Sequence, residues 1–191
     1  MQDLAFAYYY GQQSISSQLF ASPLGIPLSR VVDLSNHLPE ETRELILEVP
    51  GNKWRISHQL IAEEILIQTL ASKGSDRRIW WQNLPEFAIS FINFCRGPLP
   101  EPTSEGLELA RRIFVYRDNT DLLGTEQGGE RGGNPLFAQF ISDLRLPESK
   151  LRVLEVLTNK FPDEPHFWAH LGRLYALELK QFDKAIIAID R

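Results

Sequence analysis

The segment 151–191 constrains the fold more than any other part of the sequence. Its apolar and small residues recur at three- and four-residue intervals, which is the spacing of one helix face. Four of them share such a face: Trp168, Leu171, Gly172 and Tyr175. Pro162 ends the preceding helix, and Phe182 and Ala185 follow on the next one. The segment therefore predicts consecutive helices packed as hairpins, with Gly172 where two backbones approach closely.

This pattern resembles the tetratricopeptide repeat, a two-helix unit of about 34 residues. The resemblance covers one unit at about 164–191 and the last helix of a preceding unit, with one residue inserted between Tyr175 and Ala185. Repeats of this type do not bury their faces alone. Ile186, Ile187 and Ile189 would face no following unit. Either a partner covers them or the sequence is part of a longer protein, and the second alternative fits better.

A β-hairpin is predicted in the first half of the chain. The β-prone runs "LILEV" and "KWRIS" are joined by "PGN", which has the composition of a tight turn. A helix over 3–20 with a possible break at Gly11, a short helix near 28–34 and another after Pro39 precede the hairpin. A further helix runs from His58 to about Ser72. Helices, then a two-stranded wing, then a helix form a winged-helix-like order over 1–75.

The remainder of the chain is predicted to be helical. "RRIWWQNLPEFAISFINFC" reads as a helix or helix pair broken near Pro85, and the proline-rich "GPLPEPTS" (97–104) is the best domain boundary. A helix over 104–116 and a glycine-rich loop precede helices that begin near 136, 148, 165 and 182. The fold class is therefore mainly α. We divide it into a winged-helix-like domain (1–75), a helical connector (76–103) and a helical-repeat region (104–191).

Residues 1–75 also resemble a known arrangement, the winged-helix domain that follows the ATPase core in STAND-class P-loop NTPases. These are the signalling ATPases of plant resistance proteins, apoptotic platforms and bacterial anti-phage systems. "LAFAYYYGQQSISSQLFASPLGI" and "RISHQLIAEEIL" are similar to the sterile-alpha-motif-containing antiviral type. Ser57, His58 and Gln59 occupy the family's methionine-histidine-aspartate motif, and only the histidine matches.

The resemblance implies that His58 contacts the β-phosphate of ADP in an attached ATPase domain and that the helical repeats act as sensor. A histidine at a helix start also lies beside unpaired backbone N–H groups, which favour an anion. The alternative is that His58 only caps its helix. No Gly-Lys-Ser/Thr phosphate loop occurs in the sequence. We therefore expect no cofactor in this chain, and ADP or ATP only where an ATPase domain is attached.

Composition and charge exclude several classes of function. The formal net charge of -5 and scattered Lys and Arg disfavour nucleic acid, so a winged-helix DNA binder is the weakest alternative. With one cysteine, Cys95, neither an intrachain disulfide nor a multi-cysteine zinc site is possible. No apolar run is long enough to span a bilayer, and the start lacks the basic region of a secretory signal. We expect a cytoplasmic protein that does not bind membranes.

Candidate catalytic and metal-binding residues each have a simpler interpretation. Neighbouring strand residues such as Ser57 and His58 point to opposite faces, which disfavours a nucleophile–base pair. His166 and His170 have a metal-capable spacing but no third ligand nearby, so exposed surface is the expectation. Five aromatic residues are expected in the core rather than in a ligand box: Trp80, Trp81, Phe87, Phe91 and Phe94. We predict no enzyme and no metal site.

The sequence leaves two functional hypotheses. The first is a non-catalytic regulatory and protein-interaction module that lies C-terminal to the ATPase core of a STAND NTPase in signalling or defence. Its partner would be another protein or the ATPase domain of the same chain. The alternative is a free-standing tetratricopeptide-type scaffold that binds a peptide or protein. In both, the packing of the repeat would depend on its six pattern residues: Trp168, Leu171, Gly172, Tyr175, Phe182 and Ala185.

Overall fold

The computed structural model describes residues 1–24, 39–71, 76–114 and 136–191, with side chains omitted at 21–24 and 136–138. Ten α-helices and three strands lie in these ranges. The helices are α1 (Gln2–Gly11), α2 (Ser17–Leu24), α3 (Glu40–Arg43), α4 (Gln59–Leu70), α5 (Leu84–Arg96), α6 (Ser104–Phe114), α7 (Leu136–Asp143), α8 (Pro147–Lys160), α9 (Pro165–Leu177) and α10 (Phe182–Ile189). The strands are β1 (Ile15–Ser16), β2 (Ile46–Val49) and β3 (Lys53–Ile56), and a 3-10 helix spans Arg77–Gln82.

The predicted hairpin is present, and it belongs to a three-stranded antiparallel sheet of order β1-β3-β2. β2 pairs with β3 so that Glu48 lies opposite Trp54. Their turn contains Gly51 and Asn52 with φ of 87° and 54°, conformations that glycine and asparagine tolerate well. The alternation along β3 buries Trp54 and Ile56 and leaves Lys53 and Arg55 less buried.

The predicted helix over 3–20 is divided in two, and the break follows Gly11, the position where the sequence allows one. Gln12 adopts φ 50°, and its N–H bonds to carbonyls of the last helical turn. The chain then turns to pair Ile15 with Trp54, and the Ser17 N–H donates to the Asn52 carbonyl at 2.9 Å. Ile15 is fully buried by this arrangement. The pairing of this segment with β3, rather than the break itself, is what the sequence pattern does not predict.

α1 is the central element of the core. Both faces of it are covered, since it contacts α4, β3, α6 and α7. The Phe6 ring lies 4.7 Å from Phe91, 6.2 Å from Phe114 and 5.9 Å from Phe140, measured between ring centroids. These partners come from three different helices that follow the proposed winged helix in the sequence. The predicted segments 1–75 and 104–191 therefore share one continuous core, and the division into three domains stays a prediction.

The second half of the chain is a stack of helices. α8 packs against α5 on one side and α9 on the other, and α9 packs against α10. α5 and α6 cross very closely, because a Cβ built on Gly106 would lie 2.0 Å from the Cys95 carbonyl oxygen. Between them, the Arg96 guanidinium donates to the Leu99 carbonyl at 2.7 Å and to the Pro100 carbonyl. Arg96 thereby stabilises the turn that the connector 97–103 makes between α5 and α6.

The structure confirms the predicted fold class, mainly α with a β-hairpin followed by helical hairpins. The predicted helix starts at 136, 148, 165 and 182 are observed at 136, 147, 165 and 182. Pro85 lies in the first turn of α5, where its missing N–H is harmless. The expected helix near 28–34 and the glycine-rich loop lie outside the described residues. Among the described helices, none combines the length and apolarity that a bilayer crossing needs.

Candidate functional site: the outer face of the last helix

His58 lies at the junction between β3 and α4, as the sequence predicts. It is the N-cap residue of α4, with φ -146° and ψ 147°, and its imidazole is exposed. Nδ1 accepts a hydrogen bond from the Leu60 N–H at 3.2 Å. This bond requires an unprotonated Nδ1, so the capping imidazole carries its proton on Nε2. His58 therefore satisfies a helix-end N–H, which is the simpler of its two predicted roles, and a phosphate contact stays a prediction.

The hairpin of α9 and α10 contains the repeat-packing residues. A Cβ on Gly172 would lie 2.7 Å from Ile189 Cγ1 and 3.3 Å from the Ala185 carbonyl oxygen, so the two helices approach closely at this glycine. Leu171, Tyr175 and Ala185 are buried. The other large residue of the pattern, Trp168, is partly buried, and its Nε1–H donates to the Pro162 carbonyl at 2.8 Å. These five residues therefore pack in or beside the hairpin.

Phe182 is the exception among the predicted packing residues. It is 62% exposed, although the sequence pattern assigns it to the gap between paired helices. Phe182 is the first residue of α10, and α10 buries only Ala185 and Ala188. Residues four and seven positions further along, Ile186 and Ile189, lie on the same side of the helix as Phe182. Phe182 therefore lies on a flank of α10 that is mostly exposed, although Ile189 on the same flank also touches Gly172 of α9.

We call Phe182, Ile186 and Ile189 the α10 stripe. Its members are 62%, 60% and 62% exposed, and the neighbouring Ile187 is 62% exposed. A single exposed apolar residue is ordinary on a protein surface, and Leu60 on α4 is one such case. Adjacent large apolar residues at helical spacing form a contiguous patch instead, and such patches mark interaction sites. Ile186, Ile187 and Ile189 are thus exposed in the described part of the chain, and what covers them stays a prediction.

A cleft of about 200 Å³ lies on the other side of α9, between α7, α8 and α9. Ile141, Leu154 and Leu174 form apolar parts of its wall, and Lys150 reaches Glu178 at 2.9 Å. His170 also lines it and is only partly exposed, whereas His166 is exposed. Burial, followed by the nearby Arg173 and His166, lowers the pKa of His170 to about 4. The expectation of an exposed surface histidine is therefore wrong for His170, because α7 and α8 cover its side of α9.

The other potentially reactive side chains, Cys95 and the Tyr10–Asp143 pair, lie where helices pack together. Cys95 is fully buried, and this burial raises the pKa of its thiol well above the ordinary value. The Tyr10 hydroxyl donates to Asp143 at 2.9 Å between α1 and α7, and burial raises the pKa of Asp143. In the described ranges, no group of three His, Cys, Asp or Glu side chains is placed to hold a metal ion.

The aromatic residues of the central segment pack as expected for a core. Phe91 is fully buried, and Trp80, Phe87 and Phe94 are partly buried against the core cluster. Trp81 is partly exposed, and the Arg145 guanidinium carbon lies 4.8 Å from the centroid of its ring. None of these rings lines the cleft between α7, α8 and α9. Their placement gives no indication of an aromatic ligand site there.

Sequence reasoning missed one buried ion pair. The Arg111 Nε donates to Glu164 Oε2 at 2.5 Å, and these residues are 53 positions apart in the sequence. Glu164 is the N-cap of α9 and precedes Pro165, which is a usual position for an acidic residue at a helix start. That local signal predicts a solvated carboxylate, however, and only the packing of α6 against the turn after α8 buries it.

Comparison of the chain with protein-family models, with curated proteins and with solved structures found no match. The functional interpretation therefore depends on the geometry described above.

Proposed function

We propose that this chain is a non-catalytic protein-interaction module and that the α10 stripe receives an amphipathic helix. The observation that carries the proposal is the exposure of Phe182, Ile186 and Ile189, each at least 60% exposed on one flank of one helix. Covering such side chains would remove apolar surface from water, which is favourable by about 25 cal/mol per Å². An amphipathic helix presents its own apolar residues at the same spacing.

The stack of helices supports a helical occupant in particular. α5, α8, α9 and α10 pack in succession, and each of the first three is covered by a following helix. Gly172 keeps the α9–α10 spacing close, and α10 then presents its apolar flank outward. A further helix on this flank would continue the same packing. We therefore assign the site to an amphipathic helix from another part of a longer polypeptide or from a partner protein.

We further propose that the module is regulatory and lies C-terminal to the ATPase core of a STAND-class NTPase in signalling or defence. The support for this context is the resemblance over 1–75 and the position of His58 directly between β3 and α4. In this proposal ADP or ATP is bound by the attached ATPase domain. The repeat hairpin would bind a trigger or the ATPase domain itself, so that the interaction holds the resting state.

Site-specific photo-crosslinking tests the occupant of the α10 stripe. p-Benzoylphenylalanine replaces Phe182 in the natural protein in its own cells, and the cross-linked peptides are identified by mass spectrometry. Replacement of Leu60 is the matched control, because Leu60 is 67% exposed but stands alone on α4. We expect a helical segment with apolar residues at four- and three-residue spacing to cross-link at position 182 only.

Two results would overturn this proposal. Equal cross-linking at positions 60 and 182 would mean that the stripe has no dedicated occupant. Cross-links to the α10 of a second copy would replace the proposed partner by a homodimer. The variants Ile186→Glu and Leu60→Glu provide an independent check, since only Ile186→Glu should abolish the cross-link at position 182.

The regulatory context is tested through His58. Where the natural polypeptide carries an ATPase domain, the nucleotide retained by the purified full-length protein is measured by chromatography for wild type, His58→Ala and His58→Asn. Asparagine is a good helix cap but lacks the imidazole Nε2–H that would donate to a phosphate. We expect both variants to lose bound ADP. Retention of ADP by His58→Asn at the wild-type level would mean that His58 acts only as a cap.

A free-standing scaffold is the second candidate function. The continuous core favours it, because Phe6 of α1 contacts residues of α5, α6 and α7 and the 191 residues could fold without another domain. Sedimentation and denaturant titration of the isolated chain test this alternative. A monodisperse monomer with one cooperative unfolding transition would support the scaffold, and aggregation that Ile186→Glu relieves would favour the module.

A further inference from the structure

A second cleft, of about 390 Å³, lies on the side of the molecule where the proline-rich connector meets α6 and the turn between α8 and α9. Pro100, Pro102 and Pro162 contribute to its wall, as does Leu107 of α6. Proline rings and the connector backbone hold this wall in a fixed, extended shape. The cleft shares no lining residue with the α10 stripe, so the inference drawn from it does not depend on the proposed function.

The carboxylate of Glu164 lines this cleft and is only half satisfied. Its side chain is 2% exposed, and Oε2 accepts a hydrogen bond from Arg111 Nε at 2.5 Å. Oε1 is buried and has no hydrogen-bond partner within the described parts of the chain. A buried carboxylate oxygen without a donor is unfavourable, and native structures nearly always satisfy such atoms by protein, water or ligand.

Two of the cationic groups around the cleft already have hydrogen-bond partners within the chain. Arg111 uses its Nε on Oε2, and Arg96 donates to the carbonyls of Leu99 and Pro100 in the connector. Two further acids, Glu101 and Asp163, line the cleft and are exposed. Lys160 also lines the cleft, so its acidic and basic side chains balance in number. The attraction for a further cation therefore comes from the unsatisfied Oε1 of Glu164 and not from a net charge.

We infer that this cleft binds a guanidinium or ammonium group, which donates to Oε1 of Glu164 beside Arg111. A carboxylate between two cations is a known buried arrangement, and charge-assisted hydrogen bonds of this type are stronger than neutral ones. The group belongs either to an arginine or lysine of a peptide or to a small free cation.

Binding to the full chain is measured by isothermal titration and by chemical shifts of the backbone amides. The probes are acetyl-Gly-Arg-Gly-amide, its neutral isostere acetyl-Gly-citrulline-Gly-amide, and free agmatine. We expect the arginine peptide to bind at least about tenfold more tightly than the citrulline peptide, because only the first offers a charge-assisted hydrogen bond. Shifted amides should cluster at 100–107 and 160–165. Tighter binding of the peptide than of agmatine identifies a peptide ligand, and the reverse identifies a small cation.

Two variants test the role of Glu164 itself. Glu164→Gln removes the charge at nearly constant shape and should weaken the arginine peptide by at least about tenfold. Asp163→Asn removes a neighbouring exposed charge and should change affinity by less than about threefold, as expected for a solvated group. The citrulline comparison uses the wild-type chain, so the test holds even where Glu164→Gln fails to fold. Equal affinity for the two peptides, or no binding of any probe, would overturn the inference.

Discussion

α1 and α10 differ in how their apolar residues are used, although both helices contain many of them. α1 buries Leu4, Phe6 and Tyr10 among helices that approach from several directions. α10 buries only Ala185 and Ala188 and leaves its larger side chains in solvent. The smaller residues of α10 thus form most of its internal contact, to which Ile189 adds its contact with Gly172, and the larger side chains remain mostly exposed. Apolar content alone does not distinguish a core helix from a helix that presents a binding face.

The largest test of this comparison is truncation of one phenylalanine in each helix. Phe6→Ala should lower the free energy of unfolding by about 3–5 kcal/mol, because it leaves a cavity among packed rings. Phe182→Ala should change it by less than about 0.5 kcal/mol, as expected for an exposed residue. Denaturant titration of the isolated chain measures both. Similar losses in the two variants would mean that the α10 stripe is covered in solution.

Two glycines extend the comparison from side chains to backbones. In Gly106→Ala the new Cβ would lie 2.0 Å from the Cys95 carbonyl oxygen, a backbone atom that cannot move alone. We expect a loss of about 2–3 kcal/mol, since this strain exceeds the gain in helix propensity. In Gly172→Ala the closest contact is the exposed Ile189 side chain, which can rotate away. The change there should remain within about 1 kcal/mol by the same balance.

The glycine pair is measured by thermal and denaturant unfolding under one buffer condition. A loss for Gly172→Ala as large as that for Gly106→Ala would show that the α9–α10 hairpin is as rigid as the crossing of α5 and α6. The α10 stripe would then lie on a rigid hairpin, although its side chains are exposed.

The inner side of α9, which faces the cleft between α7, α8 and α9, gives a pH-dependent test. His170 is neutral in the fold, with a pKa lowered to about 4 from an ordinary value of 6.5. A depressed folded-state pKa gives stability that is complete above the unfolded pKa and is lost as the pH falls from 6.5 towards 4. Between neutral pH and this lower limit, wild type should lose on the order of 1–2 kcal/mol more stability than His170→Gln.

The control for His170 is His166→Gln, which alters the exposed histidine four residues earlier on α9. His166 is the smallest of the three causes of the lowered pKa of His170, so its loss should change the pH dependence of unfolding much less than His170→Gln does. Parallel curves for wild type and His170→Gln would contradict the half-buried position of His170 and place the inner side of α9 in solvent, like the outer flank of α10.

The smallest expected effect concerns His58, the exposed N-cap of α4. His58→Ala removes the acceptor of the Leu60 N–H and should lower the unfolding free energy by roughly 0.5–1 kcal/mol. His58→Asn supplies another acceptor and should restore most of this loss. Chemical denaturation of the three proteins at neutral pH measures the difference. An undiminished loss in His58→Asn would mean that the imidazole contributes more than a cap.

Helix positions were predictable because local chemistry marks them. Pro147 and Pro165 lie in the first turns of α8 and α9, where proline is favoured, and "PGN" joins β2 and β3 as a turn sequence should. β1 was not predictable, because a two-residue strand depends on β3 for its pairing and on a left-handed Gln12 that has no sequence signal. Periodicity describes a segment, whereas pairing depends on its neighbours in space.

The candidate site was predictable only in part, for a related reason. The exposure of the isoleucines follows from the repeat pattern, since repeats of this type do not bury their faces alone. The place of Gly172 follows from the pattern of close helix approach. The exposure of Phe182 depends on where α10 begins relative to α9, which the pattern does not fix. The pairing of Glu164 with Arg111 spans 53 positions, so no local signal exists for it.

The central position of α1 has a consequence for synthesis on the ribosome. Tyr10 donates its hydrogen bond to a residue 133 positions later in the chain. At a translation rate of ~5–20 residues per second, roughly 7–27 s pass between the emergence of α1 and that of its partner α7. During this interval β3 and α4 can already cover part of α1, but the side that packs against α7 stays without its partner. Early synthesis is therefore the stage at which this protein should depend most on chaperones.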